Sequence, residues 1–142
     1  MGQLAVSAPP GQVDLLVPQT VPGTAGATSV AMAANHTCAI VAGQVTCWGS
    51  NGDAESTGDG VTSFTTPPSV VTPAVEVVAL DAATCARDAA GSVSCWGRAD
   101  DGRLGVSGTG AKGITSAGIG DAVALGAGGA SVACALRPAL VG

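Results

Sequence analysis

Apolar and polar residues alternate over a short stretch near the middle of the chain, and a period of two is typical of β-strands with one buried face. In Gln44–Trp48 a Val-x-Cys-Trp sequence follows a turn that contains Gly43. The largely apolar stretch Thr37–Val41 precedes that turn. Two strand-like stretches joined by a glycine turn predict a β-hairpin.

The same hairpin pattern returns further along the chain. Residues 38–49 read CAIVAGQVTCWG, and residues 85–97 read CARDAAGSVSCWG. Five residues of the first copy recur at a spacing of 48, so that Gly43, Val45, Cys47, Trp48 and Gly49 become Gly91, Val93, Cys95, Trp96 and Gly97. A self-match at a fixed period of about 20–50 residues is the signature of a repeat architecture.

Each copy predicts three neighbouring strands of one antiparallel meander. They are Val30–Ala34, Thr37–Val41 and Gln44–Trp48 in the first copy, and Val75–Leu80, Thr84–Ala86 and Ser92–Trp96 in the second. A third copy begins with Val123–Leu125 and Ala133–Leu136. No apolar stripe has the helical period, so the sequence predicts an all-β chain.

The repeats divide the chain into four predicted segments. Residues 1–27 form the tail of a preceding repeat, because Gly2–Val6 is echoed by Gly102–Val106 about two periods later. Residues 28–73 and 74–121 form two repeats, and residues 122–142 start a truncated one. Prolines at positions 9, 10, 18 and 22 restrict the first segment to loops and edge strands.

The composition narrows the possible partners. The 142 residues include 22 Gly but only two Trp, one Phe and no Tyr, so the core must pack small side chains. Only 11% of residues are charged and the net charge is −5. The absence of a basic patch argues against nucleic acid or an anionic membrane as a partner. No apolar stretch approaches the ~20 residues of a membrane span, and no signal-peptide pattern is visible.

The order of these motifs resembles the repeat of the regulator of chromosome condensation (RCC1-type) propellers. The residues that carry the resemblance are His36-Thr37-Cys38-Ala39, Gly43-x-Val45-x-Cys47-Trp48-Gly49, Asn51, Gly58-Asp59-Gly60 and Pro68-x-x-Val71. The cysteine-paired version in exported bacterial proteins is the most similar. This resemblance implies a partial β-propeller of four-stranded antiparallel blades, located outside the bacterial cell or on its surface. It departs at Ala83, where the second repeat lacks the family's His, and at Ser56-Thr57-Gly58, where Gln-Leu-Gly is expected.

The cysteines predict one disulfide within each repeat. Cys38 and Cys47 lie on opposing arms of one predicted hairpin, as do Cys85 and Cys95. Facing side chains on neighbouring strands are about 5 Å apart, which is disulfide range. The alternative is four buried thiols in a reducing cell. A zinc site fits poorly, because zinc-binding cysteines are usually two to four residues apart. Cys134 has no predicted partner and is left unpaired.

Other candidate residues have plain structural interpretations. Trp48 and Trp96 recur at one repeat position, which favours packing over ligand binding. His36 is the only histidine, and the sequence has no second His or nearby carboxylate pattern that would support a catalytic role for it. The G-x-G-x-x-G at Gly108–Gly113 has no suitable strand before it and no helix after it. The oxygens of residues 51–59 fail the calcium-loop spacing, so we expect no metal and no cofactor.

The function predicted by these observations is a non-catalytic protein-interaction module. Its loops would present Asn51, Asp53, Glu55, Asp59, Arg98, Asp100 and Asp101 to a protein partner. The resemblance also allows guanine-nucleotide exchange on a small GTPase or inhibition of an extracellular enzyme. A purely structural repeat of a surface protein is a further alternative. A hydrolase or lyase would need an acid pair or a nucleophile–base pair that the sequence lacks.

Two repeats with partial neighbours leave apolar faces at both ends. Propellers close with about 4–8 blades, and each blade buries its faces against two others. We therefore expect either a part of a longer propeller or a subunit that completes a ring by self-association.

Overall fold

The computed structural model describes residues 18–53, 55–56, 63–64, 69–71, 73–108 and 111–139. Within these ranges the chain forms eleven β-strands and one short 3-10 turn at Asp100–Gly102. The strands are β1 (Ala27–Met32), β2 (His36–Val41), β3 (Gln44–Ser50), β4 (Ser63–Phe64), β5 (Ser69–Val71), β6 (Glu76–Leu80), β7 (Ala83–Arg87), β8 (Val93–Arg98), β9 (Ala111–Ser116), β10 (Ala124–Gly128) and β11 (Val132–Leu136). The predicted all-β class is confirmed. Among the described residues, no helix has the length and hydrophobicity needed to cross a membrane.

The strands form three antiparallel sheets, one for each repeat. The first sheet has the order β1-β2-β3-β4, and β5 also pairs with β3. The second sheet has the order β6-β7-β8-β9, and the third is the hairpin β10-β11. The three-stranded meanders predicted for the two repeats are present, with ends that coincide or are shifted by up to three residues. Strand β9 was not predicted, because the sequence placed Gly108–Gly113 in an outer connection.

The glycine of each Cys-Trp-Gly motif is required by a close approach of two backbones. Gly49 has φ +107°, and a Cβ there would lie 2.6 Å from the carbonyl oxygen of Asn35. Gly97 has φ +111°, and its Cβ would lie 2.5 Å from the carbonyl oxygen of Ala82. A side chain at either position would force the third strand away from the turn between the first two. The repeat therefore keeps glycine here for steric reasons.

The sheets pack face to face in chain order, which creates two contact layers that we call the first and second seams. Strands β1 and β2 contact β6 across the first seam, and β10 contacts β6 and β7 across the second. The first seam is built from Cys38, Ile40, Val45, Cys47, Ala74, Val77, Ala86 and Trp96. The second is built from Leu80, Ala83, Cys85, Val93, Cys95, Ala99, Leu104 and Ala122, with Leu125, Ala133 and Ala135 packed on them.

Alternation along the strands assigns each motif residue to one seam. The Cys38–Cys47 disulfide faces the second sheet across the first seam, and the Cys85–Cys95 disulfide faces the third sheet across the second. Trp96 lies on the opposite face of its sheet and packs into the first seam. The second repeat therefore places its tryptophan against the preceding sheet and its disulfide against the next.

Candidate functional site: the loop face

The loops that follow β3 and β8 lie at one end of the sheets, together with the turns that join the first two strands of each repeat. Ser50 N donates to Asn35 O at 2.8 Å, and Arg98 N donates to Ala82 O at 2.7 Å. Asp81 N donates to Ala130 O at 2.9 Å and connects the second sheet to the third. We call this end, formed by residues 33–35, 50–56, 81–82, 98–105 and 129–131, the loop face.

Two of the predicted loop residues are buried and hold the first loop in place. Asn51 is fully buried, and its Oδ1 accepts a hydrogen bond from Ser56 N at 2.8 Å. Glu55 is 2% exposed, and its Oε2 accepts from Asp53 N at 2.7 Å. Both side chains satisfy backbone donors of their own loop. They shape this loop without forming part of the surface that it presents.

A chain of buried hydrogen bonds connects the first loop to the second sheet. Thr84 Oγ1 donates to the carbonyl oxygen of Glu55 at 2.7 Å. His36 Nε2 lies 2.8 Å from the same Thr84 Oγ1. Because the hydroxyl has only one proton and gives it to the carbonyl, His36 Nε2 must be the donor in the second bond. His36 Nδ1 then carries no proton, and it has no partner among the described residues.

The surroundings of His36 favour its neutral form. Burial lowers the pKa of His36 below its ordinary value, and the charges of Glu55 and Asp81 oppose that effect only in part. The ring has no exposed surface, and Thr84 is equally buried. A histidine beside a hydroxyl could act as a base toward a nucleophile. Here the hydroxyl proton already bonds to a carbonyl and no substrate can reach either group, so the pair is structural.

The second loop carries most of the exposed charge on the loop face. Arg98 pairs with Asp100, and Arg103 Nη2 donates to Asp101 Oδ2 at 3.1 Å. The hydrogen bond to Asp100 comes first among the causes that raise the pKa of Arg98, followed by the charges of Asp100 and Asp53. Asp101 is 77% exposed while its partner Arg103 is 7% exposed, so the carboxylate faces solvent.

The predicted loop residues therefore separate into three groups. The exposed or half-buried ones are Asp53, Arg98, Asp100 and Asp101, and the structure brings them together on the loop face. Asn51 and Glu55 are buried beneath them. Asp59 lies outside the described residues. In the described ranges, no three His, Cys, Asp or Glu side chains converge to hold a metal ion.

The structure contains both of the disulfides that the sequence predicts. Cys38 and Cys47 are directly opposite in β2 and β3, as Cys85 and Cys95 are in β7 and β8. Each pair has a Cα–Cα distance of 4.1 Å, close to the spacing of a non-hydrogen-bonded antiparallel pair. Cys134 is a free, exposed cysteine.

Sequence reasoning missed Thr84, Ser56 and Arg103 as parts of this site. Thr84 looked like an ordinary strand residue, but it joins two repeats through His36 and the Glu55 carbonyl. One signal was available in the repeat alignment. The position of Thr84 in the third repeat is Ala133, and the position of His36 in the second is Ala83. Across the first seam both facing residues, His36 and Thr84, are polar. Across the second seam the residues at the same positions, Ala83 and Ala133, are both apolar.

Comparison with known proteins gave matches at the level of structure alone. No protein-family model matches the sequence, and no curated protein matches it. Human WBSCR16 has a TM-score of 0.67 and 20% identity over 78% of this chain. Prp20p from Saccharomyces cerevisiae, studied for its binding to Gsp1p and histones, has a TM-score of 0.62 and 21% identity over 72% of it. Yeast RCC1 (Prp20) bound to Kap60 has a TM-score of 0.65 and 16% identity over 79% of it.

These matches involve only part of each solved structure. The chain spans 27–30% of the length of the matched proteins. Its three sheets are antiparallel and stack in chain order, as the blades of a propeller do. The chain therefore has the fold of part of an RCC1-type β-propeller, in which each sheet corresponds to one blade.

Proposed function

We propose that this chain is a protein-interaction module whose loop face binds a protein partner. The observation that carries the proposal is the arrangement of the two loops. Asn51 and Glu55 accept hydrogen bonds from backbone N–H groups inside the first loop, and Thr84 donates to the Glu55 carbonyl and connects that loop to the second sheet. The ion pairs of Arg98 and Arg103 organise the second loop beside it. A binding surface supported by a rigid scaffold loses less entropy when its partner binds.

The charge of the loop face indicates the chemistry of the partner. Asp53, Asp81, Asp100 and Asp101 are four carboxylates at this end, against the two guanidinium groups of Arg98 and Arg103. Since Arg103 is nearly buried, the surface offered to a partner is predominantly acidic. A partner with a basic patch would be favoured by electrostatic complementarity.

The disulfides bear on where this binding takes place. Disulfides persist in oxidising compartments and are rare in the cytosol. Two of them in a chain of this length support a location outside the cell or on its surface. Of the narrower activities that the resemblance implies, inhibition of an extracellular enzyme accords with that location better than exchange on an intracellular GTPase.

A matched pair of charge reversals tests the proposal. Asp101→Lys changes the loop face, and Asp121→Lys changes an exposed aspartate at the opposite end. Each removes one ion pair, with the nearly buried Arg103 or the exposed Arg137, and each changes the net charge by the same amount. Because both carboxylates are at least 43% exposed and ion pairs near the surface contribute little to stability, we expect both variants to fold.

The measurement is affinity capture from the native extracellular fraction, followed by titration of the captured protein against each variant. We expect the wild type and Asp121→Lys to bind alike, and Asp101→Lys to bind at least about tenfold more weakly. Equal binding by all three proteins would refute the assignment of the loop face. Equal loss in both variants would show a non-specific charge effect and would refute it too.

A further inference from the structure

The second seam contains a cavity. It measures about 290 Å³ and lies between the second and third sheets. The Cys85–Cys95 disulfide, Val93, Leu104, Leu125 and Ala133 are among its lining residues, so its walls are largely apolar. Protein interiors are normally packed with few voids larger than a water molecule. This space, in contrast, opens to solvent, so a side chain can enter it from outside.

The first seam shows what fills the corresponding place. There, fully buried Trp96 belongs to the same core as the Cys38–Cys47 disulfide and Val45. The residues one repeat later are Cys85, Cys95 and Val93, and all three line the cavity. Ala74, Val77 and Ala86 likewise have counterparts in Ala122, Leu125 and Ala135. Arg87 replaces Ile40, and the indole of Trp96 has no counterpart.

Both tryptophans of the chain pack at other places in the structure. The sequence contains two, and Trp96 occupies the first seam. Trp48 is 4% exposed and packs with Ala39 and Val21 on the other face of the first sheet. Neither indole is therefore available to fill the cavity in the second seam.

Strand register fixes where a missing indole would come from. In the second sheet Trp96 lies opposite Thr84, and Cys95 lies opposite Cys85. The counterparts of Thr84 and Cys85 in the third sheet are Ala133 and Cys134 of β11. In the described ranges β11 pairs with β10 alone, so its other edge is open. A strand added there in the repeat's register would place a tryptophan opposite Ala133, at the cavity, and a cysteine opposite Cys134.

We propose that this cavity is the binding site for a tryptophan side chain, carried by a Val-x-Cys-Trp-Gly strand of a further repeat of the same kind. The strand pairs with the open edge of β11, and backbone hydrogen bonds provide part of the affinity. The indole enters the cavity and provides the specificity, since a large aromatic in a desolvated pocket dominates binding. The site lies between two sheets and borders the loop face, since Asp101, Arg103 and Ser131 are among its lining residues.

The same register places the cysteine of the incoming strand opposite Cys134, so that the two can react. Cys134 is the one cysteine of the five that is free; it is exposed, and it borders the cavity next to Ala133 on β11. If the incoming cysteine is supplied as a mixed disulfide with thionitrobenzoate, the Cys134 thiolate attacks the sulfur of that cysteine. The old S–S bond breaks, thionitrobenzoate leaves with the electron pair, and a disulfide to Cys134 forms.

The experiment uses the whole chain and a blocked peptide that copies residues 44–50, QVTCWGS, activated in this way. The rate of thionitrobenzoate release reports strand docking. We expect the peptide to react about 30-fold faster, or more, than its Trp48→Ala version, because the hot-spot contact is lost in the latter. Peptide mapping should find the new disulfide at Cys134. The comparison leaves the protein unchanged, so it does not depend on how any variant folds.

Two protein variants add a matched control. Ala133→Leu fills the cavity and should reduce the rate with the tryptophan peptide to that of the alanine peptide. Ala124→Leu adds the same side chain to the other face of this hairpin and should not. Equal rates for the two peptides, attachment at Cys85 or Cys95, or no effect of Ala133→Leu would each overturn the proposal. So would a dimer of the free chain that excludes the peptide, since a second copy would then be the occupant.

Discussion

The two seams are built on the same repeat but place their polar groups differently. At the loop face, the first seam holds the buried chain from His36 to Thr84 and the Glu55 carbonyl. The second seam has Ala83 and Ala133 at the corresponding positions. Asn51, fully buried in the first loop, corresponds to Ala99, fully buried in the second. At this end the first seam has buried side-chain hydrogen bonds, whereas the second has apolar side chains and the backbone hydrogen bond from Asp81 N to Ala130 O.

The pattern reverses at the opposite end of the sheets. The first seam has Ile40 there, buried in its apolar core. The second has Arg87, whose Nε donates to Glu76 Oε2 at 2.8 Å. The same oxygen accepts from Leu125 N of the third sheet at 3.0 Å. Each seam therefore carries one polar cluster, and the two clusters lie at opposite ends.

This difference gives each sheet a preferred neighbour. If the third sheet packed in place of the second, His36 would face Ala133 and lose its hydroxyl partner. An unsatisfied buried polar group costs about 1–3 kcal/mol. Apolar contact alone would tolerate either neighbour, whereas these clusters penalise the wrong one. The polar groups thus specify the order of the sheets.

Removing a disulfide is the largest perturbation that we expect. The Cys38→Ala/Cys47→Ala and Cys85→Ala/Cys95→Ala variants should each lose about 3 kcal/mol, because each bridge closes a short loop in the unfolded chain. The first variant should lose more than the second, since Trp96 packs in the same core as the first bridge. Urea denaturation of both variants measures this. A larger loss in the second would contradict the packing difference between the seams.

The next largest effect on stability should come from removing the buried side chains that hold the two loops in place. Leu104→Ala should cost about 3 kcal/mol, since this side chain is fully buried in the second seam. Asn51→Ala should cost about 1–2 kcal/mol, because Ser56 N loses its acceptor while less apolar surface is removed. Thermal denaturation of the two variants ranks them. The reverse order would show that the second loop is not held by apolar contact.

The contact between His36 and Thr84 should appear as a coupling. In a double-mutant cycle of His36→Ala and Thr84→Ala, we expect an interaction free energy of about 1 kcal/mol. The control is a second double-mutant cycle of Ala83→Ser and Ala133→Ser, at the equivalent positions of the second seam, where the native side chains make no polar contact. Coupling in the control and none in the native pair would contradict the assignment of the polar cluster to the first seam.

The pH dependence of His36 should be the smallest effect. Burial lowers its pKa in the folded chain, so the unfolded chain binds the proton more readily. Stability is therefore fully present above the ordinary pKa of about 6.5 and falls as the pH drops below it. Urea midpoints between about pH 7.5 and 5 should decrease for the wild type and stay flatter for His36→Gln. Parallel curves would show that His36 does not titrate between the two states.

The repeat made much of this fold predictable, because alternation and the recurring Cys-Trp-Gly specify three strands of the first sheet and three of the second locally. Strand β9 escaped prediction because Ala-Lys-Gly-Ile-Thr-Ser has no strand pattern of its own and forms by pairing with β8. The burial of Asn51 and Glu55 also escaped, since polar loop residues are usually exposed. The Glu55 carbonyl bonds to Thr84, 29 residues away in sequence, and local pattern does not encode such a contact.

Amide hydrogen exchange tests the central claim most directly, which is that the first seam is complete while the second awaits a tryptophan. In the chain alone, we expect amides of β2, β3, β7 and β8 to exchange slowly and those of β10 and β11 on the order of 100-fold faster. Adding the tryptophan peptide should slow β10 and β11 and leave β2 and β3 unchanged. Equal protection of β10–β11 and β2–β3 in the chain alone would contradict the account.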